Sequence, residues 1–155
     1  MRSFVKKQDY RISQNECFDQ VVQACARTKR PGQFGTWINS SMREAYSKLH
    51  AEGIARSIEV WDGDLLVGGL YGLELGKIFF GESMFSAKPN TSKLALIHLA
   101  QELASRDFLL IDCQQDTPHM RTLGAELLDR ETFWRYLSLN RKLHLSNQVI
   151  KSNSE

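Results

Sequence analysis

Two acidic segments of this chain stand where apolar runs of strand length end, and their carboxylates could handle an amine. Glu82 follows the run at 77–80, and Asp112 follows the run at 108–111. Because side chains alternate along a strand, Asp112 and Gln114 are expected to share one face. If the two strands are neighbours, the two carboxylates converge. The spacing therefore predicts an amine-handling site formed by Glu82, Asp112 and Gln114.

The order of the surrounding elements predicts that these two strands are neighbours. The strand at 77–80 is followed by a helix over 91–106 and then by the strand at 108–113. This order favours a right-handed crossover and a parallel pair. Before it, alternating patterns at 55–61 and 65–71 predict antiparallel strands. We therefore expect an α+β fold with a mixed, mainly antiparallel sheet flanked by helices.

Helices are also predicted before and after the sheet. Ser13-x-x-Glu16 and Ser41-x-x-Glu44 have the form of capping boxes, each followed by apolar residues at helical spacing. A last helix is predicted from about Arg130. We expect residues 1–145 to form one domain and residues 146–155 to be a polar tail that frays.

Composition limits the classes of protein that fit. The chain has 155 residues, of which 42% are hydrophobic, and this suits a single core. No apolar stretch approaches the roughly 20 residues of a membrane span, so we expect a cytoplasmic protein. The three cysteines and four histidines lack metal-ligand spacing, and neither a metal nor a cofactor is expected. A net charge of +2 is small, and the basic excess at 1–30 is either a phosphate contact or a solvated surface.

Seven short segments carry a family resemblance: Gly35-Thr36-Trp37-Ile38, Ala45-Tyr46-x-x-Leu49-His50, Ser57-Ile58-Glu59-Val60-Trp61, Leu66-Val67-Gly68-Gly69-Leu70-Tyr71-Gly72, Gly81-Glu82-Ser83-Met84-Phe85-Ser86, Ser92-Lys93 and Leu110-Ile111-Asp112-Cys113-Gln114. In this order they resemble the bacterial leucyl/phenylalanyl-tRNA protein transferases through most of residues 10–137. Members of that family have a catalytic domain similar to the GNAT acyltransferases, in agreement with the predicted sheet and helices.

The resemblance implies an aminoacyltransferase that uses two substrates and no cofactor. It would move leucine or phenylalanine from the 3′ end of aminoacyl-tRNA to the N-terminal arginine or lysine of a protein, marking that protein for degradation. Asp112 would orient Gln114 and accept a proton or stabilise charge, and the Gln114 carbonyl oxygen would accept a hydrogen bond from the attacking amine. Glu82 would help to fix the cationic acceptor N-terminus.

The resemblance also implies substrate-binding residues. Trp37, with Tyr46 nearby, is a candidate stacking surface for the terminal adenine of tRNA, although it could instead anchor the second helix in the core. Apolar residues at several further positions are candidates for the pocket of the leucyl or phenylalanyl side chain, although such residues are usually core. They are Leu70, Phe79, Met84, Leu96 and Leu99.

Several alternatives remain open from the sequence. Carboxylates at strand ends often cap turns, and Cys113 could be proposed as a nucleophile, although alternation points it away from Asp112. An acyl-coenzyme A acetyltransferase should have a glycine-rich pyrophosphate loop, but residues 85–92 contain no glycine. Full-length family members carry a smaller N-terminal domain before the region corresponding to Arg2. A module that binds aminoacyl-tRNA or an N-terminal peptide without catalysis is therefore also considered.

Overall fold

A computed structural model of the chain describes residues 9–29 and 35–152, with side chains to residue 144. The basic segment 1–8 lies outside the described residues. In chain order the elements are β1 (Arg11–Gln14), α1 (Phe18–Arg27), α2 (Ser40–Ala51), β2 (Ala55–Asp62), β3 (Leu65–Leu75), β4 (Ile78–Ser86), α3 (Thr91–Ser105), β5 (Leu110–Asp112), α4 (Pro118–Thr122) and α5 (Arg130–Ser152).

The described strands form one five-stranded sheet in the order β1-β2-β3-β4-β5. The pairs β1/β2, β2/β3 and β3/β4 are antiparallel, and β5 runs parallel to β4 with Ile78 opposite Leu110 and Phe80 opposite Asp112. The predicted meander and the predicted parallel pair are both confirmed. The strand-helix-strand order thus places the β4 strand that contains Glu82 beside the β5 strand that ends at Asp112.

Each face of the sheet is covered by helices because the helices present apolar stripes at helical spacing. On one face, α1 and α2 contribute Phe18, Val22 and Tyr46 to a cluster that includes Tyr71 of β3. On the other face, α3 packs Leu94, Ala95, Leu99 and Leu103 against strand residues including Ile58, Leu70 and Phe79. The result is the expected α+β architecture of three layers.

The predicted capping box at Ser13 is wrong, because Ser13 lies in β1. Its hydroxyl donates to Glu59 Oε2 at 2.6 Å and accepts from the Trp61 indole at 2.8 Å. Glu59 is fully buried, and its other oxygen accepts from Ser57 at 2.5 Å. A buried carboxylate needs such donors, so the residues that resemble a cap instead satisfy Glu59. The N-cap of helix α1 is Cys17, four residues after Ser13, and the helix begins at Phe18.

The second predicted cap is shifted for a similar local reason. Asn39, rather than Ser41, is the N-cap of α2, and its side chain accepts a hydrogen bond from the Met42 N–H at 2.9 Å. Asparagine is among the most favoured N-cap residues, so the helix begins directly after Asn39. Ser41 lies inside the helix.

The last helix is longer than predicted and is attached to the sheet by one side chain. Helix α5 continues to Ser152, through most of the segment expected to be a tail. Asn140 Oδ1 accepts from the Lys77 N–H at 2.6 Å, and its Nδ2 donates to the Leu75 carbonyl at 2.9 Å. These bonds join α5 to the β3–β4 turn. Within the described part of the chain, no helix has the length and apolarity of a bilayer span.

Candidate active site

Strand β4 contains a bulge whose extra residue is Glu82. Tyr71 of β3 is opposite Ser83, whereas the next residue, Gly72, is opposite Gly81. Glu82 therefore has no opposing residue on β3. The sequence prediction ended this strand at residue 80, but β4 continues to Ser86, so Glu82 lies within the strand rather than after it.

The bulge changes which faces the β4 side chains occupy. Phe79 and Met84 both pack against the α3 cluster although they are five positions apart, an odd separation that regular alternation would send to opposite faces. Bulges of this kind often re-aim a side chain beside a functional site. Here the carboxylate of Glu82 accepts from the Tyr46 hydroxyl at 2.7 Å and from Gln114 Nε2 at 3.3 Å.

The end of β5 holds the other two predicted catalytic residues. Asp112 is the last residue of the strand, and its Oδ1 accepts from the Gln114 backbone N–H at 2.9 Å. Gln114 has a φ of +60°, in the left-handed region that non-glycine residues rarely adopt. Asp112 and Gln114 therefore do not share one face of a regular strand, because the strand ends at Asp112 and the chain turns at Gln114. Asp112 holds the backbone of Gln114 in a turn, and that turn directs the Gln114 amide to Glu82.

This arrangement assigns the two ends of the Gln114 amide. Because Nε2 donates to Glu82, Oε1 is the amide atom that can accept a hydrogen bond from an amine. Both Asp112 and Gln114 lie at the surface of the same cleft. The structure therefore brings together Glu82, Asp112 and Gln114, as the spacing predicts, and leaves a carbonyl oxygen and a carboxylate for a bound amine.

Two aromatic residues extend the site on the α2 side of the sheet. Burial raises the pKa of Tyr46, and its hydrogen bond to Glu82 and the charge of that residue raise it further. The hydroxyl therefore stays protonated and donates to the carboxylate. The Trp37 ring meets Tyr46 edge to face, with centroids 6.3 Å apart, and 43% of Trp37 is exposed. An exposed indole of this kind can accept a stacked base.

A cleft of about 840 Å³ opens beside the edge of β5 that faces away from β4. Its volume falls within the range of small-molecule sites. Helices α3, α4 and α5 and the segment 123–128 form its other walls. Its apolar lining includes Leu96, Ala100, Met120, Leu123, Leu127, Leu128, Phe133 and Tyr136.

The five residues expected in the aminoacyl pocket do not all face this cleft. Leu70, Phe79 and Leu99 are buried in the core, with exposures of 3%, 1% and 0%. Met84 is half-buried against the same cluster, and Leu96 lines the cleft. The apolar residues of α4 and α5 that line the cleft were not among the residues predicted for the pocket. A usable signal was present, since Phe133 and Tyr136 are three positions apart on a helix that follows the Asp112 segment.

Cys113 has the properties of a packed thiol rather than a nucleophile. Burial raises the pKa of the Cys113 thiol, and the neighbouring Asp112 charge raises it further. A thiol is a poor nucleophile until it is deprotonated. Within residues 9–29 and 35–144, no three histidine, cysteine or acidic side chains are grouped so that they could hold a metal ion.

The first N–H groups of α3 are already bonded to residues that precede the helix. The Ser92 N–H donates to Ser86 Oγ at 2.9 Å, and the Thr91 N–H donates to the Lys88 carbonyl at 3.3 Å. A pyrophosphate at this helix terminus would require such backbone donors. This geometry, with the glycine-free sequence at 85–92, disfavours acyl-coenzyme A as the donor.

The sequence comparisons point to one family. The family model described as leucyl/phenylalanyl-tRNA protein transferase matches residues 1–138. A curated protein of that name from Flavobacterium johnsoniae is 47% identical over 137 residues, which cover 88% of this chain and 65% of the relative. One from Syntrophus aciditrophicus is 51% identical over 86% of this chain and 56% of the relative. The chain spans about half to two thirds of the length of the curated relatives it matches.

The structural comparisons agree on the fold. An aminoglycoside acetyltransferase in complex with a bisubstrate analogue superposes with a TM-score of 0.57 at 11% identity, over 79% of this chain and 95% of that chain. An acetyltransferase from Clostridium acetobutylicum with acetyl-CoA gives 0.57 at 12% identity, over 79% and 92%. At such identities the similarity shows a common GNAT-like fold, and the donor must be inferred from the site.

Proposed function

The chain belongs to the leucyl/phenylalanyl-tRNA protein transferase family, and from this premise we propose that it forms a peptide bond between leucine or phenylalanine carried by tRNA and the N-terminal arginine or lysine of a protein. The observation that carries this proposal is the hydrogen-bonded group of Glu82, Gln114 and Asp112, of which Gln114 and Asp112 line the cleft. The acceptor is marked for degradation by the added residue. Because the donor is charged tRNA, we place the reaction in the cytoplasm.

The reaction needs a neutral amine beside an activated ester. The nitrogen of the acceptor attacks the ester carbonyl, the new C–N bond forms, and the C–O bond to the tRNA 3′ oxygen breaks. The α-amine loses one proton, and the leaving oxygen gains one. An N-terminal amine has a pKa of about 8 and is mostly protonated at neutral pH. This ammonium form must lose a further proton before it can attack, so the site must help remove it.

Each of the three polar residues has a separate role in this reaction. Gln114 Oε1 accepts a hydrogen bond from the amine and aligns it with the ester, since the Nε2 end is held by Glu82. Asp112 holds Gln114 through the backbone and provides the carboxylate that accepts the proton or stabilises the charge. Glu82, fixed by the Tyr46 hydroxyl, stabilises the cationic acceptor. An aminoacyl ester is already activated, so positioning supplies much of the rate.

The apolar wall of the cleft is suited to the leucyl or phenylalanyl side chain. Of the residues predicted to bind this side chain, Leu96 lines the cleft. We assign Phe133 and Tyr136 of α5, which also line the cleft, to the same role. An apolar wall favours these side chains and rejects charged ones through the cost of desolvation. Leu70, Phe79 and Leu99 support the wall from the core.

Replacing Trp37 with alanine is expected to weaken binding of aminoacyl-tRNA about five-fold. Loss of one base-stacking surface typically costs about 1–3 kcal/mol, and the exposed Trp37 ring lies beside Tyr46. Filter binding with charged tRNA measures the effect. Trp134→Ala removes another exposed indole, on α5, and serves as the control. Equal affinities for the two variants would exclude adenine stacking on Trp37.

Transfer of radiolabelled phenylalanine from charged tRNA to a protein with N-terminal arginine tests the proposed function. We expect label in the acceptor protein, and none when its N-terminal residue is glutamate. The same assay tests a second candidate, binding without turnover. Retention of charged tRNA on a filter without transfer of label would support that candidate and contradict the first.

A further inference from the structure

Strand β5 forms an open edge of the sheet. Among the described residues it pairs with β4 alone, so its other side is free of a partner strand. The edge is bordered by the cleft, which is lined by Leu110 to Gln114. An unpaired strand edge in a cleft is a template for an added extended chain.

The backbone groups available on this edge can be identified. The Asp112 carbonyl is directed to β4, since it lies 3.4 Å from the Cβ position of Gly81. In a parallel pair, alternate residues bond to the partner. Ile111 therefore directs its N–H and C=O to the open edge. Beyond the strand, the Gln115 N–H donates to the Cys113 carbonyl at 2.7 Å and closes a turn that ends this edge.

The charges of the cleft favour a cation. Its lining includes the carboxylates of Asp112, Asp116 and Glu126 and the guanidinium of Arg130. Asp116 is already neutralised, because Arg121 binds it through Nε at 2.6 Å and through a second nitrogen. The two remaining carboxylates, Asp112 and Glu126, thus carry more negative charge than Arg130 carries positive charge. Asp112 is assigned to the amine, which leaves Glu126 for a second positive charge.

We propose that the first residues of the acceptor bind as a strand along the free edge of β5, antiparallel to it, with their first side chain directed to Glu126. This inference rests on the proposed function. The α-amine lies at Asp112, at the carboxyl end of β5, so the acceptor chain must run back towards Leu110. The backbone of Ile111 pairs with the acceptor, and Glu126 reads the positive charge of its arginine or lysine.

Peptide binding tests the strand without requiring turnover. A short fluorescent peptide with N-terminal arginine is compared with peptides methylated in turn at each of the next backbone nitrogens. Because alternate N–H groups of an added strand face its partner, we expect methylation at alternate positions to weaken binding about five-fold, through one lost hydrogen bond. Equal effects at all positions, or none, would overturn strand pairing.

Peptide binding with one charge removed from each partner tests Glu126. Citrulline has the shape of arginine without its charge, and we expect the wild-type chain to bind the arginine peptide about ten times more tightly than the citrulline peptide. Glu126→Gln should remove most of this preference. Glu131→Gln, an exposed acid five positions along the chain that pairs with Arg135, should retain it. An unchanged preference in Glu126→Gln would overturn its assignment.

The two proposals fail in different ways. Transfer of label with no alternation in the methylated peptides would overturn strand addition and leave the proposed function intact. Alternation and charge preference without transfer would support the binding mode and contradict catalysis by this chain. Sedimentation of the free chain tests the other occupant of the edge, because a stable dimer that excludes the peptide would mean that a second copy covers β5.

Discussion

Replacing Asp112 with alanine is expected to slow peptide-bond formation about 100-fold, or about 2.7 kcal/mol of transition-state stabilisation. The change removes two effects together. The carboxylate no longer accepts the Gln114 backbone N–H, which at present holds that residue in its left-handed conformation, and the amine loses a proton acceptor. Proton transfer by a positioned side chain typically contributes about 10²–10⁴-fold.

Single-turnover transfer from charged tRNA measures this rate, and two further variants separate the effects. Asp112→Asn keeps an oxygen for the Gln114 N–H but loses the negative charge, so we expect a loss almost as large as for alanine. Asp64→Ala changes an exposed aspartate in the β2–β3 turn and should transfer at the normal rate. Near-normal transfer by Asp112→Ala would remove Asp112 from the mechanism.

Replacing Gly72 with alanine is expected to lower the free energy of unfolding by about 3 kcal/mol. A methyl group here would collide with the Phe80 carbonyl oxygen and lie 2.6 Å from the Phe79 ring. Neither neighbour can move easily, because the first is in the β4 backbone and the second is buried in the core. Overpacking of this kind costs about 1–3 kcal/mol when the surroundings cannot relax.

Urea unfolding of matched glycine variants measures this cost. Gly81→Ala places a methyl group in the same bulge region, but its nearest contact is the Asp112 carbonyl at an ordinary 3.4 Å. We expect its unfolding midpoint to stay close to that of the unsubstituted chain, while that of Gly72→Ala falls. Equal midpoints for the two variants would show that the bulge can repack, in contradiction to the close contacts of Gly72.

The elements predicted best are those specified by neighbouring residues. The alternation at 55–61 and 65–71 and the apolar stripe of α3 depend on local periodicity, and the strand-helix-strand order limits the crossover to one hand. Strand β1 was not predicted because its last two residues, Ser13 and Gln14, begin a segment that resembles a capping box. Only the burial of Glu59, a residue 46 positions beyond Ser13, shows which use of that serine is more stable.

For the site, the polar residues could be predicted from the sequence, but their geometry could not. The predicted meeting of Glu82 with Asp112 and Gln114 is found, through a hydrogen bond from the Gln114 amide to Glu82. Leu70 and Leu99 were candidates for the pocket and instead fill the core. An apolar residue gives the same sequence pattern whether it fills the core or lines a pocket, because both roles require a hydrophobic side chain.

The sequence by itself determined the family, the order of the elements and the carboxylates at one edge of the sheet. Tertiary structure decided how those carboxylates act. The β4 bulge that re-aims Glu82 depends on its register with β3, and the turn that directs Gln114 depends on a backbone bond to Asp112. Register and left-handed turns are stabilised by contacts between segments far apart in the chain, so local periodicity does not specify them. The cleft likewise exists only because the fold brings the start of α5 to the side of β5 that faces away from β4.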